Sequence, residues 1–217
     1  MSSRNYGQAC SVASFLDQLG SRWTLLIIRD LLIGPRRFKD LLDGLPGIGP
    51  NLLTARLGEL QGAGIIDKER NARGQFYVLT QKGWSLEPVI LSMARWGLQF
   101  LEPGGDEKLN RPDLLVVAFR AAFRPEVAQE SKESYEFRIG DTTFFARIDD
   151  GRLETGLGPA DHPTMIYTAT EDTFDQIVSG ALDEQKARDA GLLEIVGTEQ
   201  TYQRFLNQFS HSKESRG

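Results

Sequence analysis

A chain of 217 residues that is 40% hydrophobic, 25% charged and 9% aromatic has the make-up of a folded globular protein, which argues against a disordered chain, a collagen-like repeat and a coiled-coil rod. The single cysteine, Cys10, excludes an intramolecular disulfide framework, and with only two histidines beside it the usual Cys/His zinc site cannot be assembled, so neither metal nor cofactor is expected. The net charge of −5 averages two unlike halves: residues 1–105 carry 12 Lys and Arg against 9 Asp and Glu, and residues 106–217 carry 13 against 21, which directs the first half toward a polyanion.

No apolar run approaches the ~18 residues of a membrane span, and MSSRNYGQAC has neither the apolar core nor the cleavage site of a signal peptide. A cytoplasmic location without a membrane partner is the expectation. From Gly20 to Gly34 the chain reads GSRWTLLIIRDLLIG, and the spacing of Trp23, Leu26, Ile27 and Leu31 predicts a helix with one buried stripe. Ser21 is its expected N-cap, and Gly34-Pro35 its stop. A short helix over Arg36–Leu45 turns Phe38, Leu41, Leu42 and Leu45 inward and Arg36, Arg37 and Lys39 outward. After a turn with Pro46, Gly47 and Gly49, a third helix starts at Pro50, a favoured first position, and runs to about Gln61. It buries Leu53, Leu57 and Leu60, helped by Leu52, and exposes Asn51, Thr54, Ala55, Gly58 and Gln61.

Two short helices joined by a glycine turn, the second presenting small polar groups, match a helix-turn-helix; an ordinary three-helix packing unit is the other assignment. Small groups let a helix approach base edges in a major groove about 12 Å wide. A hairpin follows, with strands at Ile65–Glu69 and Gln75–Thr80 and a turn at Asn71–Gly74. Lys68, Arg70 and Arg73 cluster at its tip, the layout of a winged helix whose wing rests on phosphates. Asn51, Thr54 and Ala55 are therefore the expected base-reading residues of double-stranded DNA. Arg36, Arg37, Lys39, Arg56, Lys68, Arg70 and Arg73 are the expected phosphate contacts.

Five motifs in order carry a family resemblance: the early Cys10, G-x-[KR]-W-T at Gly20–Thr24, G-P-x-R-F at Gly34–Phe38, L-T-x-R-L at Leu53–Leu57 and L-T-x-x-G at Leu79–Gly83. Over about residues 8–101 the chain closely resembles the HxlR family of bacterial winged helix-turn-helix transcription regulators. The resemblance implies a homodimer built from a first helix around Ser11–Leu19 and from the helix after the wing, Pro88–Leu101. The residues agree, because Val89, Leu91, Met93, Trp96, Phe100 and Leu101 lie nearly all round that last helix and one small core cannot use every face. Two-fold symmetry then sets two reading helices ~34 Å apart on an inverted-repeat operator. The resemblance also implies a redox or electrophile-sensing role for Cys10, whereas its neighbours Ala9, Val12 and Ala13 suggest a small buried hydrophobe.

EPGGDEKLNRPD (Glu102–Asp113) reads as a linker, which divides the chain into a DNA-binding and dimerisation domain over 1–103, a linker over 104–111 and a second domain over 112–217. The second domain should hold a helix (Pro112–Phe123), three strands (Tyr135–Ile139, Thr142–Ile148, Arg152–Gly158) with turns at Gly140-Asp141 and Asp149–Gly151, and a further strand in TMIYTAT. A helix in EDTFDQIVSGAL capped by Thr170 or Asp172, a short helix (Asp183–Asp189), a strand (Leu192–Val196) and a last helix (Thr198–Phe209) complete it. The whole is α+β, with a C-terminal antiparallel sheet plus helices. The order of elements over 112–210 resembles the sterol carrier protein type-two-like fold, and that resemblance implies an apolar cavity. Phe119, Phe123, Tyr135, Phe137, Phe145 and Tyr167 are its expected lining, with Tyr135, Arg138, Arg147 and Tyr167 as polar groups orienting a small hydrophobic ligand. A filled core supporting the dimer is the alternative.

The resulting expectation is a homodimeric, ligand-modulated regulator of transcription that is not an enzyme. The alternative is a lipid or hydrophobic-ligand carrier, or a small enzyme, whose N-terminal half binds a partner. The sequence offers no nucleophile motif, phosphate loop or metal cluster, and His162, beside Pro163, is the base that reading would need.

Overall fold

The computed structural model describes residues 5–97, 100 and 111–209. These form two compact units, Met1–Ile90 and Leu91–Gly217. Of the expected linker over 104–111, residues 104–110 lie outside the described residues, and Arg111, its last, pairs with Asp113, its Nη2 donating to Oδ2 at 2.7 Å.

In the first unit, α1 (Ser11–Leu19) is followed by α2 (Thr24–Ile33), α3 (Phe38–Gly44) and α4 (Pro50–Gly62). Ser21 does not cap α2. The residue ahead of the helix is Trp23, held left-handed at φ 80°, with its indole against Gly47, where a Cβ would come within 3.7 Å of the ring. This displaces the helix start and with it the buried stripe: Ile27, Ile28, Leu31 and Leu32 form the core, and Leu26 is 39% exposed. Asp30, fully buried on α2, is neutralised by Arg29, whose Nε and Nη2 donate to its Oδ1 at 3.0 and 2.8 Å. On α3, Leu41 is buried with Leu45 just beyond its end, and Phe38 and Leu42 are half-buried. On α4, Leu53, Leu57 and Leu60 form the buried stripe, each burial worth ~1.5–3 kcal/mol, whereas Leu52 faces solvent.

The hairpin β1 (Ile66–Asn71) and β2 (Gly74–Leu79) pairs Asn71 with Gly74 across a turn at Ala72-Arg73. Gly74 takes φ 121°, a conformation a side chain would strain. Thr80 then caps α5 (Gln81–Trp84): its Oγ1 accepts from the Gly83 amide at 3.1 Å and donates to the Gly64 carbonyl at 2.7 Å. A Cβ on Gly83 would lie 2.2 Å from the Ile65 carbonyl oxygen. The L-T-x-x-G motif is thus a helix cap locked to the entry of the wing. α6 (Glu87–Gly97) follows; residues 98, 99 and 101 of the expected longer helix are outside the described residues.

The boundary between the units falls within α6, and after that helix the second unit holds a 3-10 turn and α7 (Leu115–Ala122), then the meander β3 (Lys132–Ile139), β4 (Thr142–Asp149) and β5 (Arg152–Leu157). The β4–β5 connection places Asp150 and Gly151 at φ 48° and 73°, the two left-handed residues a type I′ turn requires. β6 (Met165–Ala169), α8 (Glu171–Val178), α9 (Glu184–Asp189), β7 (Leu193–Val196) and α10 (Glu199–Gln208) complete it. Thr170, Asp183 and Thr198 cap α8, α9 and α10 through their side chains. β3 starts earlier than the aromatic pattern suggests, because Lys132 and Glu133 pair with Asp149 and Ile148.

The sheet order is β5-β4-β3-β6-β7, and the sheet is mixed rather than antiparallel. β3 and β6 run parallel, since the chain crosses over from the edge strand β5 to the far side of β3. One sheet face carries Tyr135, Phe137 and Ile139 opposite Phe144, Ala146, Met165 and Tyr167, all buried. The other face carries Glu136, Arg138, Phe145 and Arg147.

Candidate nucleic-acid interface

The buried leucine stripe of α4 determines what the opposite side of that helix shows to solvent: Asn51, Thr54, Ala55 and Gly58 are all exposed. The Thr54 hydroxyl donates to the Pro50 carbonyl at 2.9 Å, so outward it offers lone pairs and a methyl group but no proton. α3 and α4 are joined through Pro46 to Gly49, with Ile48 buried beneath the turn.

The basic residues divide by what their side chains touch. Lys39, Lys68, Arg70 and Arg73 are exposed, Lys68 with its ammonium 5.4 Å from the centre of the Tyr77 ring. Arg36 is half-buried. Its backbone bridges to Tyr77, amide to carbonyl at 3.1 Å and 2.7 Å in the two directions, adding a third strand segment to the wing. Its Nε donates to the Asp30 carbonyl at 3.3 Å. Arg56 grips Glu59, Nη1 donating to the two carboxylate oxygens at 2.8 and 2.6 Å, and its Nε reaches the Arg22 carbonyl at 3.3 Å. Arg37 is exposed, but its Nη2 donates to the Arg73 carbonyl at 2.6 Å. Arg22, absent from the expected phosphate contacts although it fills the basic position of G-x-[KR]-W-T, is exposed ahead of α2 with its guanidinium 4.8 Å over the Trp23 ring.

Apolar side chains stand in solvent on two helices: Val12 and Leu16 on α1, and Val89, Met93 and Trp96 on α6, the last 67% exposed. Cys10 is exposed at the N-terminus of α1 and is not the small buried hydrophobe its neighbours suggested. The amides of Ala13 and Val12 lower its thiol pKa from the ordinary value.

In the second unit the expected pocket residues separate into two groups. Phe119 lies 4.6 Å from Phe137, 5.4 Å from Phe144, 5.9 Å from Phe205 and 5.1 Å from Phe209, centroid to centroid. Tyr135 meets Phe205 edge to face, Tyr167 is tilted against Phe137, and Phe123 meets Phe209 at the margin of the cluster, so these rings pack against one another. Phe145 is not with them. It lies on the opposite sheet face together with Arg138, which pairs with Glu136, and Arg147, which pairs with Glu154, so none of the three can line a space among the aromatics. Burial, with Glu133 or Glu184 nearby, holds the phenols of Tyr135, Tyr167 and Tyr202 above the ordinary tyrosine range. An open cavity of about 550 Å³ lies elsewhere in this unit, among polar residues including Arg124, Ser131, Glu133, Arg204 and Gln208. His162 is almost wholly exposed beside Asp161. Among the described residues no group of three or more His, Cys, Asp or Glu is placed to hold a metal, and no helix is long and apolar enough to cross a membrane.

The family described as HxlR-like helix-turn-helix matches residues 18–104. The HTH-type transcriptional regulator YodB of Bacillus subtilis is 39% identical over 89 residues, 40% of this chain and 80% of that protein. An uncharacterised HTH-type transcriptional regulator of Synechocystis, sll1512, is 37% identical over 100 residues, 44% of this chain and 73% of that protein. The solved structure of the reduced form of YodB aligns over 45% of this chain and all of that one, at 36% identity and a TM-score of 0.38. With helix-turn-helix and wing in place and these relatives matched over most of their own length, the chain belongs to the HxlR family of helix-turn-helix transcription regulators and is a DNA-binding regulator of transcription.

Proposed function

We propose that two copies of this protein bind an inverted-repeat operator in the cytoplasm, each laying α4 in a major groove and its wing along the flanking phosphates. The observation that carries this reading is the division of α4 into a leucine face and a face of small groups, Asn51, Thr54, Ala55 and Gly58, without a Glu/Lys pair among them. Asn51 suits bidentate contact with adenine. Thr54, its proton already given to Pro50, accepts from a base amino group or sets its methyl against thymine, as Ala55 does. Lys39, Lys68, Arg70 and Arg73 hold phosphates, whereas Arg36 and Arg56 act inside the unit. The exposed apolar residues of α1 and α6 supply the dimer contact. Selection of bound duplexes from a random pool tests the assignment: Asn51→Ala should relax the preference at one position in each half-site and leave the others, and an unchanged preference refutes it.

The second unit is proposed as an effector-binding domain of the sterol carrier protein type-two-like kind. Support comes from its order of elements and from an aromatic cluster closed at one side by the half-buried Phe123 and Phe209. Because the rings pack against one another, an apolar effector enters only by parting α7 from α10. Native mass spectrometry of protein from its own host tests this; a co-purified apolar molecule is the expected result, and the bare chain the contrary one. The exposed Cys10 is the matching proposal for a thiol sensor, checked by whether mild peroxide alters operator binding in the wild type and not in Cys10→Ser.

A further inference from the structure

We propose that Arg37 is a positioning residue that braces the wing, and that it makes no phosphate contact of its own. The proposal rests on the DNA-binding reading above. A two-stranded hairpin is marginal alone in water, so the wing needs support from outside itself to present its cations in one place. The structure gives it two supports from the segment between α2 and α3. The first is the backbone of Arg36, paired in both directions with Tyr77. That support ends three residues short of Gly74, where the turn begins. The second is the Arg37 side chain. Its Nη2 donates to the Arg73 carbonyl at 2.6 Å, and its guanidinium carbon stands 5.1 Å from the centre of the Phe76 ring.

The root of this brace is itself fixed, because the Arg37 amide donates to Asp40 Oδ2 at 2.8 Å at the first turn of α3. The turn is held from within as well: the Arg73 amide donates to Asn71 Oδ1 at 2.8 Å. Arg37 therefore links the N-terminus of the first helix of the helix-turn-helix to the wing tip. Lysine carries the same charge but lacks the planar fork that bonds a carbonyl while lying over a ring. This explains why arginine stands in G-P-x-R-F, immediately before the helix.

The test combines the free protein and the complex. Backbone ¹⁵N relaxation of the free protein should show order parameters at residues 71–74 falling from about 0.85 to below about 0.6 in both Arg37→Ala and Arg37→Lys. Operator affinity should fall about tenfold in both variants. In a Lys68→Ala/Arg70→Ala/Arg73→Ala background, which keeps the Arg73 carbonyl, Arg37→Ala should change affinity less than about twofold, because its action passes through the removed cations. Wild-type affinity in Arg37→Lys, unaltered order parameters in both variants, or a full further loss of salt slope in the triple background would each overturn the brace. Failure of the wild type to bind any duplex sinks the DNA-binding reading instead, and the relaxation data still decide the brace.

Discussion

Arg73→Ala should change how salt acts on operator binding by an amount the structure specifies. Lys39, Lys68, Arg70 and Arg73 are exposed on the helix-turn-helix and wing; if, as proposed, all four hold phosphates in each copy of a bound dimer, about eight phosphates are neutralised and log affinity should fall with log salt at a slope near −7. Between 50 and 200 mM salt that is a loss of about 20,000-fold. Removing Arg73 from both protomers leaves about six contacts and a slope near −5.4, and the loss shrinks to about 2,000-fold. The residue is exposed and its carbonyl, which Arg37 grips, survives the substitution, so the fold is unaffected. Band-shift titrations at four or five salt concentrations give both slopes. An Arg73→Ala slope equal to that of the wild type would refute the wing assignment, and a wild-type slope flatter than about −2 would refute the phosphate set as a whole.

Gly83→Ala should unfold or grossly destabilise the first unit, by more than about 3 kcal/mol in thermal melts, since the added methyl meets a backbone carbonyl at 2.2 Å; a shift within a degree would show that α5 can slide. Leu57→Ala on α4 should cost about 2–5 kcal/mol by cavity formation, measured by urea denaturation, and a cost under about 1 kcal/mol would contradict the buried stripe. Met93→Glu should leave the monomer folded and abolish the dimer in sedimentation, as Met93 is 48% exposed; a stable dimer would move the interface elsewhere. The folded-state phenol pKa values of Tyr135, Tyr167 and Tyr202 are raised above those of the unfolded chain, so their stabilising contribution is complete below pH about 10 and is lost as pH rises beyond it. Phenolate absorbance of these three should therefore appear together with loss of circular dichroism on alkaline titration, and phenolate formation well before unfolding would contradict their burial.

The helix-turn-helix was legible because local signals agree: the leucines of α4 recur at helical spacing, Pro50 starts the helix, and the basic residues cluster at one turn. The stripe of α2 differs from the one the spacing predicts because Trp23 stands outside the helix at positive φ, and in an apolar run such as LLII a shifted helix origin selects other residues. The mixed sheet escaped for a different reason. Hairpin turns announce antiparallel neighbours locally, but the parallel β3–β6 pairing depends on a crossover that no residue in either strand marks. Charge was legible and its use was not: Arg36, Arg37, Arg56 and Arg73 look alike in sequence, and only geometry separates a guanidinium given to a carbonyl or to Glu59 from one open to solvent. The same limit applies to the aromatic residues of the second unit, whose alternation fixes the shared face of Tyr135 and Phe137 but cannot tell a filled cluster from a hollow one.

Hydroxyl-radical footprinting of the DNA upstream of the protein's own gene, at low salt, with the protein's mass measured by sedimentation under the same conditions, decides whether two copies read a symmetric site. A dimer should protect two stretches of duplex about 34 Å apart along one face, related by an inverted repeat. A monomer that leaves every position of the duplex equally cleaved would contradict it.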